Sequence, residues 1–170
     1  MYRKNSSLVP TNHKAAKYLS NSYVLALLTW VIVLLMGNIM VKEIFAIIHH
    51  IEGDQEVYKL FKQEQTISVM LVALGVLLEG RQLLLGWLYT EDEIQNEQDK
   101  NLACEYYGFI IMSIGLIIEI IDQFLAFTIQ DSEWLLIAVF SINYPLNLYA
   151  LAMLITIGIK LLQPSKKTKH

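Results

Sequence analysis

The sequence predicts an all-α fold, a four-helix transmembrane bundle with both termini in the cytoplasm (N-in/C-in). Three observations lead there. Of 170 residues, 55% are hydrophobic and the mean hydropathy is +0.43, high values for a water-soluble domain. Four apolar runs are each long enough to cross a hydrocarbon layer of roughly 30 Å at about 1.5 Å per helical residue. Basic residues gather in the two tails, Arg3, Lys4, Lys14 and Lys17 at one end and Lys160, Lys166, Lys167 and Lys169 at the other, with no acid in either. Basic segments stay in the cytoplasm, and an even number of crossings brings both tails there.

Residues 1 to about 20, broken by Pro10, read as a basic cytoplasmic tail; a transmembrane domain follows over 21–161 and a second basic tail over 162–170. The first apolar run is too long for a signal-peptide core and lacks a small-residue cleavage site after it, so it reads as a membrane helix, expected over about 21–48. Near its far end stand Lys42 and Glu43, where a lysine can reach the interface by extending its stem. Asn38, Lys42 and His49 share one face of this helix. An acidic connection is expected over 49–65 with Gly53 as the break. Its His49, His50, Glu52 and Asp54 lack the fixed spacing of a metal site.

The second helix is expected over about 66–89 and the third over about 103–128. Between them residues 90–102 are strongly acidic, but they lack the alternating oxygen ligands and the glycine of a calcium-binding loop, and read as a solvated turn. The fourth helix, about 134–161, has no charge before Lys160. Asn143, Asn147, Ala150, Leu154 and Gly158 form its most polar or small-residue face, and Pro145 predicts a kink towards that face.

Two segments hold carboxylates deep in apolar sequence, where a charge costs at least a few kcal/mol. Gly75, Glu79, Gln82 and Gly86 follow the spacing that stacks residues along one side of a helix, and Gly115, Glu119, Asp122 and Ala126 repeat it. Small residues admit a second helix, and the acids then face it. The shared spacing reads either as coincidence within a small apolar alphabet or as an internal repeat about an axis in the membrane plane. The predicted intramembrane polar stripe is Asn38, Lys42, Glu79, Gln82, Glu119, Asp122, Asn143 and Asn147. By depth, Lys42 is expected to pair with Asp122. Arg81 stands about 200° round the helix from Glu79 and is expected to meet Glu119 on a neighbour or to snorkel to the cytoplasmic interface. Setting aside Glu105 and Lys160 near the helix ends, four acids (Glu43, Glu79, Glu119, Asp122) face two bases (Lys42, Arg81) in these helices, so at least two carboxyls need a proton, a cation or water.

The lone Cys104 has no partner for an intramolecular disulfide, which argues against the quinone-linked disulfide-forming four-helix enzymes. His13, His49, His50 and His170 lie outside the helix centres, where no facing pair can hold haem. The sequence has no HExxH, no glycine-rich phosphate loop, and no serine, histidine and acid set at membrane depth. No enzymatic activity, cofactor, metal or nucleic-acid partner is expected.

Lys42-Glu43 followed by histidine at the end of the first helix, together with Glu79 in the second, resemble the phosphate-starvation-inducible E-like family of small bacterial four-helix membrane proteins. The resemblance covers most of the chain and implies a multi-pass protein of the bacterial inner (cytoplasmic) membrane. In the third helix, where that family tends to carry an arginine, this chain has Glu119 and Asp122. The expected function is that of a non-enzymatic membrane protein whose acidic stripe serves helix association and regulation through a partner. The first alternative is a small proton- or cation-coupled transporter or channel using Glu79 and Glu119, working as a homo-oligomer. The second is a partner subunit or immunity-type protein that binds another membrane protein.

Overall fold

The computed structural model describes residues 20–48, 54–88, 97–128 and 133–164, and every regular element among them is helical. The elements are α1 (Ser22–Ile48), α2 (Asp54–Glu79), α3 (Arg81–Leu88), α4 (Gln98–Thr128) and α5 (Glu133–Leu162). The short α3 continues α2 past a break at Gly80, so the architecture is four long helices. Each contains a stretch long and apolar enough to cross a membrane: Ser22–Phe45, Gln65–Gly86, Gln98–Phe124 and Ser141–Leu162. The β-branched residues that fill these stretches are only moderate helix formers. In hydrocarbon the helix satisfies every backbone polar group internally, and that requirement outweighs propensity.

Two boundaries differ from the sequence expectation. The second helix begins at Asp54 rather than near 66, so most of the acidic connection expected over 49–65 is helical. The third begins at Gln98 rather than near 103. Hydropathy marks where a helix becomes apolar, not where it starts; the segment DQEVYKLFKQEQ is rich in glutamate, glutamine and lysine, which favour helix in water as well. The tails, the histidine pair His49–His50, Glu52 and most of the acidic 90–102 loop lie outside the described residues.

Burial follows a strict alternation of four- and three-residue steps on every helix. On α1 the seam is Ser22, Ala26, Thr29, Val33, Met36, Met40 and Glu43; across α2 and α3 it is Ile67, Leu71, Leu74, Leu78, Arg81 and Leu85. On α4 it runs Asn101, Cys104, Gly108, Ile111, Gly115, Ile118 and Asp122, and on α5 Asn143, Asn147, Ala150, Leu154, Ile157 and Leu161. A 3.5-residue repeat keeps one seam facing its neighbours over the whole length, as in left-handed bundles. The helices form a ring, α1 against α2 and α5, and α4 against α2 and α5, with the α2–α4 interface the most extensive. Outward positions are apolar too, with Leu27, Leu34, Ile120 and Phe124 among the most exposed side chains, the surface that lipid tails require.

The α2–α4 contact is close because it is built on glycine. A methyl group on Gly108 would stand 2.8 Å from both the Glu79 nitrogen and the Gly75 oxygen, and one on Gly115 would stand 2.9 Å from the Ser68 oxygen. Backbones this near gain dispersion along the whole interface, the main attraction left between helices in lipid. On the other side of the ring, Gly158 of α5 leaves the space taken by the Trp30 indole, whose Nε1 is 3.2 Å from where a Cβ would be.

Candidate functional site: polar nodes at opposite ends of the bundle

The polar interior is divided into two nodes. The first surrounds Arg81, which is wholly buried because it occupies the seam one turn after Leu78. Its Nε donates to the Ser20 carbonyl at 3.0 Å and one Nη to Ser22 Oγ at 2.8 Å, while the remaining donors reach Asn101 Oδ1 and Glu97 Oε2. The contact with Glu97 is also an ion pair, and Glu97 remains one-third exposed. One guanidinium therefore joins the start of α1, the start of α3 and the start of α4. Its planar fork suits it to several acceptors at once, which an ammonium could not satisfy in this geometry. Asn21 caps α1 just outside, accepting from the Tyr23 backbone N–H at 2.9 Å. Lys160, near the end of α5, lies over the Tyr107 ring 4.9 Å from its centroid, a cation–π contact at the same end of the bundle.

The second node lies at the other end. Asp122 and Asn143 are both 0% exposed, Glu43 and Asn147 both 2%. Asn143 Nδ2 donates to Asp122 Oδ1 at 2.8 Å, linking α4 to α5. Glu43 is buried on the seam of α1; Gly158 of α5 packs on Thr29 and Trp30, so the antiparallel run of α1 and α5 brings Glu43 level with Asn143 and Asn147. Glu43 Oε1, Asp122 Oδ2 and Asn143 Oδ1 are buried without a hydrogen-bond partner. A buried polar atom in that state costs about 1–3 kcal/mol.

Beside this node, Glu119 is half-buried on the flank of α4. Its carboxylate accepts from Ser68 Oγ of α2 and, at 2.9 Å, from Gln123 Nε2.

The sequence-predicted residues are thus distributed unequally. Asp122, Asn143 and Asn147 gather at the second node with Glu119 beside it, and the whole small-residue face of α5 that includes the two asparagines is buried. Asn38, Lys42, Glu79 and Gln82 are exposed on the outside of the bundle. The expected Lys42–Asp122 pair does not form: Lys42 precedes the seam residue Glu43 by one position, about 100° of rotation, and points away. Arg81 meets Glu97 rather than Glu119, which belongs to the opposite end. Glu79 and Glu119 do not face each other either. The rise along α2 between Ser68, which holds Glu119, and Glu79 is roughly 16 Å at about 1.5 Å per residue. Pro145 is exposed, about 200° round α5 from both asparagines, so it lies away from the polar face that a kink was expected to address.

Two charged residues of the nodes, Glu43 and Glu97, were absent from the predicted stripe and ion pairs, as were Ser20, Ser22 and Asn101, which accept from Arg81. The signal for Glu43 was present in the 4–3 spacing from Ser22 to Met40, which lands next on 43. Nothing local marks Glu97, which sits in an acidic stretch of similar neighbours. Among the described residues no three His, Cys, Asp or Glu side chains come together in a way that could hold a metal ion. Comparison with protein-family models, curated proteins and solved structures finds no match to this chain.

Proposed function

We propose that the chain is a non-enzymatic multi-pass membrane protein, N-in/C-in, whose intramembrane polar groups fasten the four helices at both ends of the bundle. The observation that carries this reading is the commitment of Arg81: wholly buried at the start of α3, it donates to structural acceptors at the starts of α1 and α4. The starts of α1 and α4 and the end of α5 lie together at the Arg81 end, so both basic tails leave from one side. The positive-inside rule places that side in the cytoplasm. The resemblance to the phosphate-starvation-inducible E-like proteins supports a bacterial cytoplasmic membrane as the location.

Topology and role are tested together. Single cysteines introduced at positions 131 and 166, in a background where Cys104 is serine, are expected to react with a membrane-impermeant maleimide from opposite sides of the bilayer. Labelling of both from the same side refutes the topology. Retention of full thermal stability by Arg81→Met refutes the fastening role.

Regulation through a partner finds support in one specific place. Glu79 stands exposed on an apolar outer face between Val76 and Leu83, within the candidate span Gln65–Gly86, and has no hydrogen bond or ion pair among the described residues. A carboxylate there costs a few kcal/mol against lipid, a cost that a polar group on a partner helix or a second copy would offset. Glu79→Leu is expected to leave the monomer stable and abolish any stoichiometric complex seen in mild detergent. A complex unchanged by Glu79→Leu removes Glu79 from the interface.

A further inference from the structure

The second polar node has the composition of a cation site. Its oxygens come from three helices: the Glu43 carboxylate on α1, the Asp122 carboxylate on α4 and the Asn143 amide on α5. Asn143 is wholly buried, its Nδ2 is held by Asp122, and that bond fixes its Oδ1 beside the carboxylate with no donor to meet it. One oxygen each of Glu43 and Asp122 is in the same condition. All three are acceptors, and none of them can donate to another. Among the described residues the charged groups at this node, Glu43, Asp122 and the neighbouring Glu119, are all acids. Lys42, the basic neighbour in sequence, faces outward.

We propose that Glu43, Asp122 and Asn143 bind a hard divalent cation of the calcium or magnesium class. Oxygen-only donors select such ions over zinc or copper, which favour imidazole and thiolate. A double positive charge neutralises both carboxylates, where a monovalent ion leaves one uncompensated in a low-dielectric interior. A proton shared by the carboxyls supplies one donor and leaves the amide oxygen unmet. The site lies less than two turns from the ends of α1 at Ile48 and α4 at Thr128, so the ion has a short path from the membrane surface opposite the tails. Bound there, it ties three of the four helices together, and its release leaves α1 and α4 repelling each other.

The test uses full-length protein in mild detergent, stripped with chelator and titrated with calcium, magnesium or sodium chloride at constant ionic strength. The readouts are the thermal unfolding midpoint and binding heat. The expected result is a saturable rise with a divalent ion and none with sodium. Glu43→Gln and Asp122→Asn each weaken binding at least about tenfold, as expected when ligand charge is removed. The exposed Glu105→Gln, with the same charge change, leaves binding unaltered. Without metal the Glu43→Gln and Asp122→Asn proteins melt at or above the stripped parent, because the repulsion is gone, which separates loss of the site from loss of folding. A missing divalent response, a response kept by the Glu43→Gln/Asp122→Asn double variant, or a midpoint that answers to acid alone each overturns the proposal. A protein that assembles normally yet binds no divalent ion refutes this site and leaves the bundle reading standing.

Discussion

Replacing Gly75 by alanine is expected to destabilise the bundle by about 3 kcal/mol, although alanine is the better helix former. The new Cβ would stand 2.6 Å from Met112 Cβ and 2.7 Å from both the Gly108 oxygen and the Met112 nitrogen. Carbon contacts settle near 3.5–4.0 Å, so α2 and α4 must separate by about 1 Å. Two of the three obstructing atoms are backbone and move only with their helix. A gap of that size forfeits about a quarter to a half of each dispersion contact. A buried leucine makes about 40–60 contacts of about 0.1–0.2 kcal/mol, so a quarter lost is about 2 kcal/mol per leucine. Opening the interface around Leu74 and Leu78 therefore loses about 4 kcal/mol, and the gain of about 1 kcal/mol in helix propensity leaves a net loss near the upper end of the range for overpacking. Gly37 and Gly86 have no atom within 4 Å of a built Cβ. Alanine there is expected to be neutral or to stabilise by up to about 1 kcal/mol. Titration with sodium dodecyl sulfate in mixed micelles, followed by tryptophan fluorescence, measures all three variants. If Gly75→Ala proves as stable as Gly37→Ala, the backbone-to-backbone α2–α4 contact is wrong.

Three further substitutions and probes test the nodes. Arg81→Lys keeps the charge but loses the fork, and is expected to cost about 3 kcal/mol, the scale of one or two buried charged hydrogen bonds; unchanged detergent stability would show that the node contributes little. Asn143→Leu removes the one hydrogen-bond donor to Asp122 and should lower stability by about 1–3 kcal/mol, a loss that Asp122→Asn in the same chain is expected to recover in part. Cys104 is wholly buried on the α4 seam, so a maleimide should label it only after unfolding, and rapid labelling of the native protein would place that seam elsewhere.

The all-helical class and the number of helices long enough to cross a membrane were determined by the sequence alone. Runs such as Tyr23 to Met40, or Ala103 to Leu125 interrupted by few polar residues, admit one stable arrangement in hydrocarbon, and length then sets the count. The buried face of α5 was also legible, because its inward residues differ in kind from the rest: two asparagines, an alanine and a glycine among bulky apolar neighbours. On α4 the inward phase of Gly115 and Asp122 was legible as well, but the phase of α1 and of α2 with α3 was not. A membrane helix is apolar on the lipid side as well as the core side, so amphipathic contrast, the usual guide to rotation, is nearly absent from α1 and weak on α2. Position 82 was read inward where 81 is, 79 where 78 is, and 42 where 43 is. Each is a slip of one residue, and each turns a side chain by about 100°. Contact between whole helices decided the matter: Gly75, Gly108 and Gly115 fit only with α2 and α4 in one rotation, and that rotation carries Leu78 and Arg81 inside and Glu79 out. The same tertiary choice brought Glu97 to Arg81 and Asn143 to Asp122, pairings that no local spacing specifies.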